Sequence, residues 1–224
     1  MPNGEAYSER DVTIVKQFCS GYFRMRILRR YFAEIFDKQR SSPIPIMKRA
    51  VHFFHDLSNL MVDHFLLQAA KIMDRAQTLG HDNLSAYYLL EQIAWPDEVR
   101  QKLLEYVAEM ERFNELIRDA RNRILSHNDL ETILSGEVLG AFPEGMDTEF
   151  LRSLGKFVEL VHRTGVGTPY NPVETFPGYA MDFMKIIKEA NALDRYMADH
   201  PETRTEIIAN YLLKKPDANR VSEA

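Results

Sequence analysis

The chain has 224 residues, of which 45% are hydrophobic, and a formal net charge of -5, which is enough apolar material for a buried core and predicts a single domain over residues 1–224. The acidic balance excludes a protein that coats nucleic acid non-specifically, because such proteins neutralise many phosphates with a broad basic face. The single cysteine, Cys19, excludes an intramolecular disulfide and fits a reducing cytoplasm, where it serves as a small buried hydrophobe.

Ser8 with Asp11 three residues later is a capping-type start for a first helix, whose apolar positions Val12, Val15, Phe18, Cys19, Tyr22, Phe23, Leu28, Tyr31, Phe32, Ile35 and Phe36 recur at three and four. Its outward set Arg24, Arg26, Arg29 and Arg30 reads first as a solvated helix face and second as an RNA contact. Pro43 and Pro45 interrupt the pattern. From Ile46 to Leu79 the helical period resumes without Gly or Pro, so one long helix is expected, stopped by Gly80, with Asn83 capping a short helix through Ile93. Pro96 suits the first turn of the next helix. That helix carries Val99, Leu103, Leu104, Val107, Met110, Phe113, Leu116, Ile117, Ala120 and Ile124 at core spacing. Residues 136–147 read as a loop that ends on Asp147 as cap, followed by a helix through Gly165, a Gly- and Pro-rich connection over 165–178, a helix over 179–197 and a short last one from Pro201 to Leu213. No alternating run is long enough for a strand. The expected fold is all-α, an antiparallel up-and-down bundle of about five to seven helices, with a core over about 8–135 and helices over about 147–213 packed on it. No basic segment followed by an apolar run opens the chain, and no stretch nears the roughly 20 apolar residues that span a bilayer, so a cytoplasmic protein without a membrane partner is expected.

The most specific string is Arg118-Asp-Ala-Arg121-Asn122-Arg123-Ile-Leu-Ser-His127-Asn-Asp129. It reads Arg-Asn, four residues, His, a spacing that shuffling this composition yields in about one case in forty. A guanidinium grips phosphate oxygens and keeps its charge, whereas an imidazole exchanges protons near neutral pH. Together they suit a phosphodiester. The same residues at a helix end also satisfy final carbonyls and complement the dipole, so both readings stand on the residues alone. Arg112, Arg118, Arg121 and Arg123 against Glu115 and Asp119 form a local basic patch. On ideal geometry Arg121 and His127 point ~120° apart and lie ~9 Å apart along the axis, so they do not share a face.

This string resembles the Arg-Asn-x4-His signature of the HEPN superfamily. Phe53-Phe54, Asp63, Leu66-Leu67, Asp74 and Asn83-Leu84-Ser85 upstream, with Asp129 two residues beyond the His, are similar to its AbiU-like abortive-infection branch. The resemblance covers roughly residues 22–135. It implies a HEPN-like helical fold and a ribonuclease that uses no metal or other cofactor, leaves 2′,3′-cyclic phosphate ends and acts as a toxin or phage-defence effector. RNA would be its substrate, a homodimer its working form and an antitoxin protein a further partner. Arg121 and His127 would be catalytic and would meet across the dimer. Asn122 would orient a ring or a phosphate oxygen, or is a helix-surface amide; Asp129 would fix the imidazole tautomer, or forms a turn. Arg118 and Arg123 are candidates for RNA binding. The alternative is a HEPN-like module that binds nucleotide, RNA or protein without cleaving.

A second set, His52, Asp56, Asn59, Asp63 and Asp74, projects within ~40° on the expected long helix. It is an exposed helix side, a wall of the active cleft (His52, Asp56 and Asp63), or part of a metal site. The metal reading lacks ligands: a bundle site wants Glu-x-x-His on two helices, and the chain offers only Glu159 with His162.

Overall fold

The computed structural model describes residues 7–39, 44–120, 142–171, 180–203 and 205–206. They are predominantly helical, as the apolar periodicity predicts, and contacts divide the chain into two compact units, Met1–Ala33 with His55–Thr175 and Glu34–Phe54 with Phe176–Ala224. Among the described residues no helix is long and apolar enough to cross a membrane.

In the first unit, α1 (Glu9–Ile35) starts where the sequence places it. The Ser8 Oγ accepts from the Asp11 amide at 3.1 Å, and its hydroxyl donates to the Asp11 carboxylate at 2.6 Å, so an otherwise orphaned N–H is satisfied. Val15, Phe18, Cys19, Tyr22 and Met25 turn inward at three- and four-residue spacing. α5 (Asp97–Ala120) buries Leu103, Val107, Met110, Phe113 and Ile117, and α6 (Met146–Gly165) buries Phe150, Leu154, Phe157, Val158 and Val161. These two stripes make the main helix pair of the unit. Phe113 is its centre, with ring centroids 5.1 Å from Phe150, 4.9 Å from Phe142 and 6.3 Å from Phe65. Trp95, before α5, donates its indole N–H to the Leu89 carbonyl at 2.7 Å and packs on Tyr7. A Cβ on Gly165 would sit 3.3 Å from that indole, so any larger residue there requires the ring to give by a few tenths of an ångström.

The expected helix from Ile46 to Leu79 is corrected. Instead α2 (Pro45–Arg49), with Pro45 in its first turn, gives way at Ala50 (φ -114°, ψ 41°) to α3 (Val51–Ile72). α3 stops seven residues early because side chains compete for the backbone: Asp74 Oδ1 accepts from the Arg75 amide at 3.0 Å. A small antiparallel ribbon follows, β1 (Gln77–Thr78) with β2 (His81–Asp82), its strands too short for alternation to reveal. Leu79 and Gly80 both have positive φ, the signature of a type I′ hairpin turn, so Gly80 serves a hairpin and not a helix end. Asn83 is not the cap of the next helix either. Its side-chain amide donates to the Arg75 carbonyl at 2.9 Å and the Thr78 hydroxyl at 2.8 Å, clamping the ribbon, while Ser85 Oγ caps α4 (Ala86–Gln92) through the Tyr88 amide at 3.1 Å. Asp147 likewise does not cap α6; Gly145 holds that position, and Asp147 pairs with Arg29 at 2.6 Å.

In the second unit α2 lies beside α7 (Ala180–Asp199), with Arg49 paired to Asp194 at 2.8 Å and Met47 and Met184 buried. α7 leaves Phe183, Ile186, Leu193 and Tyr196 exposed.

Candidate nucleic-acid interface

Arg121, Asn122, Arg123, His127 and Asp129 lie outside the described residues. What is described is the element that leads to them. α5 is fixed along its length by the buried Phe113 and Ile117, so the chain enters the motif from a packed helix. Arg118, three residues before Arg121, is exposed and reaches the Glu111 carboxylate at 3.5 Å. An exposed pair of this length stabilises little, which leaves the guanidinium available to a stronger anion.

Glu111 is a hub. Besides Arg118 it accepts from the Tyr87 hydroxyl at 3.2 Å and from the Asn114 side-chain N–H at 3.1 Å. Burial first, then the Glu111 charge and its hydrogen bond and the nearby Glu91 carboxylate, push the Tyr87 phenol up to about 12. Tyr87 therefore remains a neutral donor at any working pH. Asn114 is only 7% exposed, and among the described residues its Oδ1 has no hydrogen-bond partner. These side chains line a groove of about 990 Å³ whose other wall is the stretch from Met73 through β1 and β2, including Asp74, Arg75, Thr78 and Asp82.

The polar set on α3 is only partly assembled. His52, Asp56, Asn59 and Asp63 are exposed and none lines this groove, whereas Asp74 does line it from beyond the end of α3. Glu159 and His162, the pair weighed as metal ligands, hold the chain that leaves α6. Glu159 accepts from the Tyr170 amide at 3.1 Å, and His162 Nδ1 meets the Thr168 carbonyl at 2.8 Å; a carbonyl only accepts, so Nδ1 carries the proton. Among the described residues no group of three or more His, Cys, Asp or Glu is placed to hold a metal ion. On α1, Arg24 is exposed, Arg26 lies over Tyr22, and Arg29 divides itself between Asp147 and the Phe32 ring.

The HEPN family model described as AbiU2 matches residues 12–183. The chain belongs to this family. No curated protein and no solved structure matches it. The AbiU2 match begins in α1, ends in α7 and encloses both the groove and the Arg-Asn-x4-His string. In this AbiU2 chain the Tyr87–Glu111–Asn114 cluster is what sequence reasoning missed. One signal was present: Asn114 falls four residues after Met110 and three before Ile117, so it is an amide inside an apolar stripe.

Proposed function

We propose that the chain is a metal-independent endoribonuclease of HEPN type that works in the cytoplasm as a toxin or abortive-infection effector. The observation that carries this reading is the intact Arg121-Asn122-x4-His127 string inside the region matched by the AbiU2 family. In the proposed reaction the RNA 2′-hydroxyl attacks the adjacent phosphorus, the bond to the 5′-oxygen breaks, and a 2′,3′-cyclic phosphate and a 5′-hydroxyl result. His127 transfers the proton, and Arg121 stabilises the charge that grows on the phosphoryl oxygens. Asn122 orients the phosphate, Asp129 holds the imidazole, and Arg118 and Arg123 bind the neighbouring backbone. The ~120° offset between Arg121 and His127 on one ideal helix supports a site shared across a two-fold homodimer. Exposed apolar side chains such as Phe53 and Leu60 on α3 and Ile186 on α7 are available to such an interface. An antitoxin protein is the expected further partner.

The test is a cleavage assay with purified chain in EDTA, with mapping of the ends. Cyclic phosphate ends support the reading; ends bearing 5′-phosphate contradict it. The net charge of -5 favours a second reading, a module that binds nucleotide, RNA or protein without cutting. Growth arrest on induction of the wild type but not of His127→Ala would decide for the enzyme.

A further inference from the structure

We propose that the groove between the β1–β2 ribbon, α4 and α5 receives one nucleobase of the RNA strand and selects bases with an exocyclic amino group, with Asn114 Oδ1 as the acceptor. The inference rests on the reading of the chain as an RNA-processing protein.

Four observations carry it. First, the orientation of the Asn114 amide is fixed by its neighbour: the Glu111 carboxylate only accepts, so the atom 3.1 Å from it is the N–H₂ group, and Oδ1 is the end left over. Second, that oxygen is buried in a residue 7% exposed and has no partner among the described residues. A buried acceptor in this state is costly to the folded chain and is matched by a ligand that brings a donor. Third, the groove is a receptor for donors. Asp74, Asp82, Glu91 and Glu111 line it together with Asn114, a set that repels a bare phosphate and accepts from amino groups and ribose hydroxyls. Its volume of about 990 Å³ accommodates a nucleoside with room to spare. Fourth, the lining also carries two cations that can take phosphates, Arg75 and Arg118.

The link to the motif is covalent. Arg121 lies three positions after Arg118, so their Cα atoms are at most ~11 Å apart however the chain runs. A base seated beside Asn114 with its phosphate on Arg118 is thus close in sequence to the residues assigned to the reaction. Tyr87 reinforces the arrangement, because its hydroxyl is committed to Glu111 and holds that carboxylate in position against Asn114.

The experiment uses the whole 224-residue chain carrying His127→Ala and three probes: a fluorescent hexamer of adenosine, the same hexamer with purine riboside in place of every adenosine, and adenosine 5′-monophosphate. Removing the 6-amino group should weaken hexamer binding about three- to tenfold. Adding Asn114→Leu should weaken adenosine-hexamer binding by a similar factor and abolish the difference between the two hexamers. Equal affinity of the two hexamers overturns the proposal, and this arm needs no change in the groove, so it remains decisive if Asn114→Leu does not fold. The same difference persisting in folded Asn114→Leu also overturns it. Adenosine 5′-monophosphate binding as tightly as the hexamer would make the groove a free-nucleotide site and overturn the assignment to a strand. Cleavage by wild type is scored separately. His127-dependent cutting with no amino-group effect would defeat the groove alone, whereas an amino-group effect without cutting would defeat the ribonuclease reading alone.

Discussion

Leu79 offers a clean physical test of the ribbon that walls the groove. It is a branched residue at φ 49°, and its side chain is 96% exposed, so it has almost no packing to lose. Holding an L-residue in the left-handed region costs about 1–2 kcal/mol, and asparagine recovers much of that because its short polar side chain tolerates the conformation. Leu79→Asn also creates Asn-Gly, the preferred pair for a type I′ turn. A gain of about 1 kcal/mol is expected. Because the ribbon is small and exposed, it opens locally, and the gain belongs mostly to that local equilibrium and less to global unfolding. The reporter is hydrogen exchange at the Asn83 amide, which donates to the Ala76 carbonyl at 2.8 Å. Its exchange should slow about fivefold in Leu79→Asn. Leu79→Gly should slow it less, since glycine relieves the strain but gives the open chain more freedom. Unchanged or faster exchange in Leu79→Asn would refute the strained turn and the ribbon geometry built on it.

Three further outcomes follow from the packing and the titrating groups. Phe113→Ala should cost about 3–5 kcal/mol in urea unfolding, because its ring touches Phe65, Phe142 and Phe150; a cost below about 1 kcal/mol would contradict its central place. Burial pushes the Cys19 thiol up to about 12, against its own backbone hydrogen bond and with help from Glu159, so at pH 8 a thiol reagent should label the native chain at least about a hundredfold more slowly than the unfolded one. The Tyr87 hydroxyl, raised from 10.0 to about 12, keeps its proton in the folded chain where the unfolded chain has lost it. Its stabilisation is therefore complete below pH 10 and disappears as the pH rises towards 12, and Tyr87→Phe should flatten stability across that window alone. A fall in stability between pH 10 and 12 that is as steep in Tyr87→Phe as in the wild type would count against the sign of this argument.

The helix pattern was legible wherever an apolar stripe met an unambiguous cap. Ser8 and Asp11 announce α1, and most core positions of α5 recur as the sequence spaces them, although Leu104 and Leu116, which share that spacing, are exposed. Reading failed where one polar side chain has several partners open to it. Asn83 suits a helix cap but is used by the ribbon, and Asp147 suits a cap but is taken by Arg29, a residue 118 positions away. Local pattern cannot choose between a partner nearby in sequence and one brought near by folding. Gly80 ends a helix or turns a hairpin with equal ease, and the two-residue strands on either side are too short to decide. Nothing in the sequence marks the break at Ala50. The motif at 121–129 was legible as a string of chemically matched residues, whereas the groove required α4, α5 and the ribbon to be assembled before Tyr87, Glu111 and Asn114 could be read as one cluster.

The proposed ribonuclease reaction depends on Arg121 and His127. Its most direct measurement is the single-turnover rate of RNA cleavage in EDTA for wild type, Arg121→Ala and His127→Ala, each first shown by circular dichroism and urea unfolding to be as helical and as stable as wild type. Loss of one charge stabiliser or one proton-transfer group should lower the rate at least about a hundredfold in each variant. Cleavage by wild type that continues at the same rate in both folded variants would contradict the assignment.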